Sequence, residues 1–425
     1  MTSTSTGKTE FRPMAICCAL FFILGFITWA NGTLIPFLKI ACNLETDLQA
    51  FFVTFASYIA YFFLAIPSSW ILKKIGFQNG LVVSLIILGL GSLVFIPAAD
   101  NRSYGLFLTG IFIQGSGMAL LQTAVNPYLS IIGPIDSAAQ RISIAGFFNK
   151  TAGIIVPILF GTLFLKDAGE VTAQLEAAAD INAQNQILDG LIARVHTPYI
   201  SLAVIFVAFA VFLKFTKLPE VDVDAEEESD PMQQVVRKTS VFQFPHLFLG
   251  SLAIFFCVAV EVMAGDIIGV YGRELNVNSF FVTYATAFTL LCMLVGYIIG
   301  IIAIPRFVSQ QFALRICTIV GLIFTTISVF TTGTISFVFV ALLGVANSLM
   351  WPAIFPLGIK GLGRFTKTGS AIMIMGIAGG AIWPLVYGLL KDTLHIDFQH
   401  AFLYAMIPAY LYILFFAVKG HRLGK

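Results

Sequence analysis

Glu261 and Asp266 stand five residues apart in Val260-Glu261-Val262-Met263-Ala264-Gly265-Asp266, inside a stretch that is otherwise lipid-compatible from Leu247 to Gly272. A charge at the centre of a bilayer costs at least ~2.5–3.5 kcal/mol, so carboxylates placed there mark a wet cavity or a partner. Two chemistries are open to them: carrying a proton, or holding a hard cation through oxygen ligands. Five residues is about 140° around a helix, so both acids share one face only if the helix unwinds near Gly265. Broken helices expose carbonyls that bind sodium. Lys150, nine residues past Arg141, is the remaining intramembrane charge. It can neutralise one carboxylate when a cation is absent, or extend its ammonium to the interface. Asp266 is assigned to the cation, and Glu261 is left as either a substrate ligand or the partner of Lys150.

The elements that must position these groups are membrane helices. The chain has 425 residues, 58% hydrophobic and only 11% charged, where a soluble domain has about 25% charged. Apolar runs long enough to cross a bilayer recur at 13–38, 51–72, 80–99, 104–131, 140–165, 197–215, 245–272, 280–304, 312–332, 334–358, 366–390 and 399–418. The first lacks a small-x-small cleavage site and is read as a retained helix. An acidic linker at 217–244 separates a bundle at 1–216 from one at 245–425, and residues 166–196 form a polar loop with room for one short amphipathic helix. With both termini on one side, the loops of that side hold seventeen lysines and arginines against six on the other, which places both termini and the linker in the cytoplasm.

The composition also excludes classes. Six cysteines show no C-x-x-C spacing and read as core thiols. There is no H-E-x-x-H, no phosphate-cradling G-x-x-x-x-G-K-[ST] and no basic tract with interleaved aromatics, so metal hydrolysis, ATP-driven pumping and nucleic-acid binding are not indicated. No cofactor and no enzymatic activity are expected.

The two bundles repeat one another. Asn126-Pro127, with Gly133 six residues past the proline, recurs 225 residues on as Trp351-Pro352 with Gly358. Gly153 through Gly161, with Pro157 at its centre, recurs 227 residues on as Gly380 through Gly388 around Pro384. Spans four and five therefore correspond to ten and eleven, as in transporters with a pseudo-two-fold axis along the membrane normal. By the same offset Gln122 pairs with Asn347.

The chain resembles the major facilitator superfamily and, within it, the fucose–galactose–glucose:cation symporter family. The resemblance is carried by Asn31-Gly32-Thr33-Leu34-Ile35-Pro36, Leu121 through Tyr128, Gln140-Arg141-Ile142-Ser143 into Phe148-Asn149-Lys150, Glu261 through Asp266, and Phe355-Pro356-Leu357-Gly358-Ile359 with Thr368-Gly369-Ser370-Ala371. It implies an all-α integral membrane protein with twelve helices in two pseudo-symmetric six-helix bundles, the major facilitator fold. Spans one, four, seven and ten would surround a central cavity. The loop Trp70 through Gly76 resembles the superfamily's gating motif, which implies gating roles for Lys73, Lys74 and Arg141. Fucose permeases place acids where this chain has Gly32 and Gln122, and glutamine cannot carry a proton. The chain is more similar to the glucose/galactose branch, associated with sodium.

Amides offer donors and acceptors to a polyol, and rings cover the apolar face of a pyranose. The expected substrate contacts are Asn31, Gln122, Asn126, Asn149, Glu261, Asn347, Trp351 and Trp383, although Asn and Gln also tie membrane helices together. Cation coupling is expected of Asp266, Glu261, Gln122 and Lys150, with Asp266, Gln122 and Asn126 as a sodium shell. The expected protein is a monomeric hexose importer of the bacterial inner membrane, sodium-coupled. The alternatives are proton coupling through Glu261 or Asp266, and a non-transporting sugar sensor. Partners are a monosaccharide, sodium or a proton, and membrane lipid.

Overall fold

The structure, a computed structural model, describes residues 11–44, 47–164, 168–178, 180–216, 218 and 239–424. Most of the acidic linker, and Lys8, Lys166, Lys217, Arg237, Lys238 and Lys425 of the charge count, lie outside the described residues. What is described is helical, with no strand among the described residues.

The first bundle comprises α1 (Phe11–Ala41), α2 (Asp47–Asp100), α3 (Tyr104–Ile131), α4 (Ala138–Phe164), the short α5 (Ala168–Ala177) and α6 (Ile181–Ile192), and α7 (His196–Phe215). The second comprises α8 (Pro245–Gly265), α9 (Ile268–Glu274), α10 (Ser279–Thr283), α11 (Ala285–Ala303), α12 (Gln310–Val329), α13 (Gly333–Ser348), α14 (Met350–Ile359), α15 (Thr366–Met375), α16 (Gly379–Gly388) and α17 (Phe398–Val418). Among the described residues eleven helical stretches are long and apolar enough to cross a membrane, one of them the 49 residues Phe52–Asp100. At 1.5 Å per residue that stretch is well over twice the thickness of a bilayer core. It folds back at Gly76, whose φ of 77° only glycine adopts without strain, and this makes the twelfth crossing.

Four predicted spans are broken. The seventh turns at Asp266 and Ile267, between α8 and α9. The eighth breaks at Tyr284, between α10 and α11. The tenth breaks at Leu349, so that Pro352 falls in the first turn of α14, where a missing N–H forfeits no helical bond. The eleventh passes through a 3₁₀ turn at Gly376–Ala378. The polar loop between spans five and six holds two short helices where one was expected. Asp180 divides them by accepting from the Ala183 N–H at 2.7 Å. Arg102 anchors the second through Asn185 at 2.7 Å and Asp189 at 3.1 Å.

Bare backbone sets the crossings. A Cβ on Gly25 would lie 2.1 Å from the Asn149 carbonyl oxygen, and one on Gly379 would lie 2.0 Å from that of Phe255. Small residues let membrane helices approach this closely, so α1 packs directly on the Asn149–Lys150 turn of α4. The outer surface is apolar, as lipid requires: Val204, Ile205 and Phe212 of α7 are all more than half exposed.

Candidate functional site

The charged centre lies where α4 meets α8. The Lys150 ammonium donates to Glu261 Oε1, an ion pair that joins the two bundles, with side chains only 8% and 18% exposed. The same ammonium lies 5.3 Å from the Trp29 ring centroid, in range for cation–π attraction. Trp29 fits because two glycines give it room. A Cβ on Gly153 would lie 2.6 Å from the indole, and one on Gly265 would lie 3.3 Å from its far edge. The ring therefore spans from the first bundle to the second. Trp29 was not among the expected site residues, and the glycines flanking it in space were the only trace of its role in the sequence.

Asp266 caps the C-terminus of α8, and its backbone N–H donates to Val262 O at 2.8 Å. Its carboxylate is half-buried, feels the charges of Glu261 and Lys150, and makes no hydrogen bond or ion pair among the described residues. Two carbonyls next to the break each accept a threonine hydroxyl. Ala264 O accepts from the Thr289 hydroxyl at 2.9 Å and Gly265 O from Thr286 at 2.8 Å.

A second polar group lies on the face of α3. Gln122 Nε2 donates to the Tyr61 hydroxyl at 3.1 Å, and Asn126 Nδ2 donates to Gln122 O at 3.0 Å. Trp351 Nε1 donates to Asn126 Oδ1 at 3.3 Å across the bundles, and its ring stacks on Phe355 at 6.0 Å. The two residues in this contact are 225 positions apart, the repeat offset. A residue can touch its own symmetry mate only near the axis that relates them, so this pair marks the pseudo-two-fold axis. Asn31, buried in α1, donates to Ser57 at 3.4 Å, and its Oδ1 has no partner among the described residues.

The expected sodium shell is not assembled: Asp266 forms no bond with Gln122 or Asn126, whose polar groups join Tyr61, Trp351 and each other. Asn347 is 1% exposed and fully engaged, donating to Val260 O at 3.1 Å and accepting from Tyr410 at 2.7 Å within its own bundle. Trp383 donates to Ala405 O at 3.0 Å and meets Phe255 and Phe256 edge-on. Asn149 Nδ2 donates to Phe21 O at 3.1 Å. In this structure the hydrogen bonds of all three tie helices together. Among the described residues Glu261 engages Lys150.

Arg141 makes no hydrogen bond or ion pair across the bundles among the described residues. All five of its hydrogen bonds, to Leu129, Ser130, Gly133, Pro134 and Ser137, stay within the first bundle and cap the C-terminal end of α3. The contacts between bundles on the side bearing the chain ends are others. Lys73 donates to Thr368 at 2.8 Å, Gln140 Nε2 donates to Ile301 O at 2.6 Å, and the Lys367 ammonium lies 5.6 Å from the Phe77 ring. Lys74 is exposed on the same side. Gln140, a neutral residue beside the more conspicuous arginine, makes a contact between bundles that its sequence context does not announce.

Twelve crossings in two related bundles, with a charged pair between them, define a membrane transporter, and the chain belongs to the Major Facilitator Superfamily, whose pattern matches residues 17–386. The Brucella abortus (biovar 1, strain 9-941) glucose/galactose transporter is 34% identical over 99% of this chain and 97% of that protein. The Escherichia coli K12 L-fucose-proton symporter is 30% identical over 91% and 88%. A crystal structure of the superfamily transporter FucP in the outward conformation aligns with a TM-score of 0.80 and 27% identity, covering 96% of this chain and 99% of that one. Within the superfamily the chain is a sugar transporter of the fucose–galactose–glucose symporter group, more similar to the glucose/galactose branch, and not an enzyme.

Proposed function

We propose that the protein imports a hexose of the glucose/galactose type by alternating access, with sodium as the coupling ion, in a bacterial inner membrane with both termini cytoplasmic. The observation that carries this reading is the division of labour between the two carboxylates. Lys150 compensates Glu261, while Asp266, at the break between α8 and α9, keeps an uncompensated carboxylate that a hard cation would complete. Waters, substrate hydroxyls and the Asp266 oxygens would supply the ligands. Gln122, Asn126, Trp351 and Asn31 Oδ1 would receive the sugar, Trp351 supplying the stacking face. The contacts of Lys73 and Gln140 support an outward-facing arrangement, closed on the cytoplasmic side.

Coupling follows from charge. Bundles that close over an uncompensated Asp266 would strand a carboxylate in low dielectric, so closure is favoured only once a cation sits there. In proteoliposomes at constant pH, an inward sodium gradient should stimulate glucose or galactose uptake. The Asp266→Asn variant should lose the stimulation while retaining sugar exchange. Uptake in the parent protein that responds to a pH gradient and ignores sodium would replace sodium by a proton. The similarity to a fucose–proton symporter supports that second reading.

A further inference from the structure

Away from the central site, on the side bearing the chain ends, a cavity of about 440 Å³ opens between the start of α12 and the segment after α17. It is lined by Ser309, Gln311, Phe312, Arg315, His421 and Arg422. Its charge is unbalanced. Arg315 Nε donates to Ala417 O at 3.1 Å and Arg422 Nε to His421 Nε2 at 3.4 Å, and neither arginine forms an ion pair among the described residues. His421 is buried, with Nδ1 on Phe416 O at 3.0 Å, and its ring holds Arg422 from behind. Two guanidinium groups thus reach one cavity with terminal N–H donors uncommitted among the described residues, in the planar fork that matches phosphate oxygens. The N-terminal end of the twenty-residue α12, capped by Ser309, adds partial positive charge to the same place.

The surroundings say where the phosphate comes from. Phe312, Ile316, Ile319 and Ile323 are each 45–50% exposed and follow one another at intervals of four, three and four residues. That spacing makes a single apolar stripe running down α12 from the cavity into the hydrocarbon. A head group held by the arginines would lay its acyl chains along this stripe. We propose that the cavity binds the phosphate of an anionic phospholipid in the leaflet facing the chain ends, Arg315 and Arg422 being its ligands and Phe312 its threshold.

The test uses the full chain in nanodiscs of equal parts phosphatidylglycerol and phosphatidylcholine, with native mass spectrometry reading the lipids that stay bound. The parent protein should retain phosphatidylglycerol preferentially. Each arginine near a membrane surface contributes about fivefold in affinity for anionic lipid. Arg422→Gln, which removes only a contact to His421, should therefore weaken the preference about fivefold, and Arg315→Gln with Arg422→Gln should erase it. Inorganic phosphate should not displace the lipid. Equal retention of both lipids by the parent protein overturns the proposal, as does undiminished preference in Arg422→Gln. Displacement of the lipid by inorganic phosphate would assign the cavity to a soluble anion and overturn it too.

Discussion

Gln122 and Asn347 occupy the same place in the two repeats, yet their side chains live in different surroundings. Gln122 is half-buried on α3, linked to Tyr61 and Asn126, beside the axis contact with Trp351. Asn347 is sealed inside the second bundle between Val260 O and Tyr410. The prolines that follow them diverge likewise. Pro127 lies inside an unbroken α3, whereas Pro352 opens α14 after a break. One amide is left available for a ligand and the other holds a helix in place. A repeat preserves fold geometry more faithfully than the use made of each position, because a partner one helix away decides what a polar group can still bind.

The largest effect should come from the bond that unites the bundles. Glu261→Gln leaves the Lys150 ammonium buried without its counter-charge, and breaking such a pair costs about 3–5 kcal/mol. Melting in detergent should drop accordingly, and Lys150→Met with Glu261→Gln should recover most of it, since the stranded charge is then gone. If the double variant melts no higher than Glu261→Gln alone, the ion pair is not the link between the halves. Next, Asn347→Ala should destabilise by about 1–3 kcal/mol, leaving Val260 O and the Tyr410 hydroxyl unsatisfied, with sugar affinity of the folded fraction unchanged. Weakened sugar binding at full stability would erase the contrast drawn above. Gln122→Ala should do the reverse: sugar affinity by equilibrium binding falls about fivefold, the worth of one neutral hydrogen bond. Its melting should be lowered less than by Asn347→Ala, because Gln122 is only half-buried and water can replace it at the Tyr61 hydroxyl. The smallest effect belongs to the closure contacts. Lys73→Ala and Gln140→Ala should each tilt the conformational balance by about 0.5–1 kcal/mol toward opening on the side of the chain ends, visible as longer distances between spin labels placed there. Arg141→Lys should instead lower stability without moving those distances.

Much of the architecture was legible from residue order alone. Crossing number follows from apolar run length, and the duplication shows in Asn126-Pro127 against Trp351-Pro352, because lipid exacts apolarity and internal hydrogen bonding from every span. The break at Gly265 was also foreseeable from a glycine between two acids. Side-chain partners were less accessible. Nothing local to Asn347 announces Tyr410, and nothing near Arg141 says that its reach ends on the carbonyls at the close of α3 and not across the bundles. Lys150 could be given a carboxylate as partner, yet only the packing of α1 on α4 through Gly25 and of α4 against α8 decides that it is Glu261. Long polar side chains choose among tertiary neighbours, and sequence spacing constrains only those within a helical turn or two.

The contact between Asn126 and Trp351 also carries a record of ancestry. In an ancestor built from two identical halves, the side chain on the axis would have faced a copy of itself, as in the isologous interface of a homodimer. Tryptophan offers only a donor, so two tryptophans could not have made this bond, whereas an amide can pair with its twin. Joining the halves in one chain released that position from self-complementarity. Donor and acceptor could then be assigned to different copies, and a ring could be placed on one side of the axis with an amide on the other. A binding site for an asymmetric sugar needs that freedom, which a symmetric dimer of half-transporters lacks.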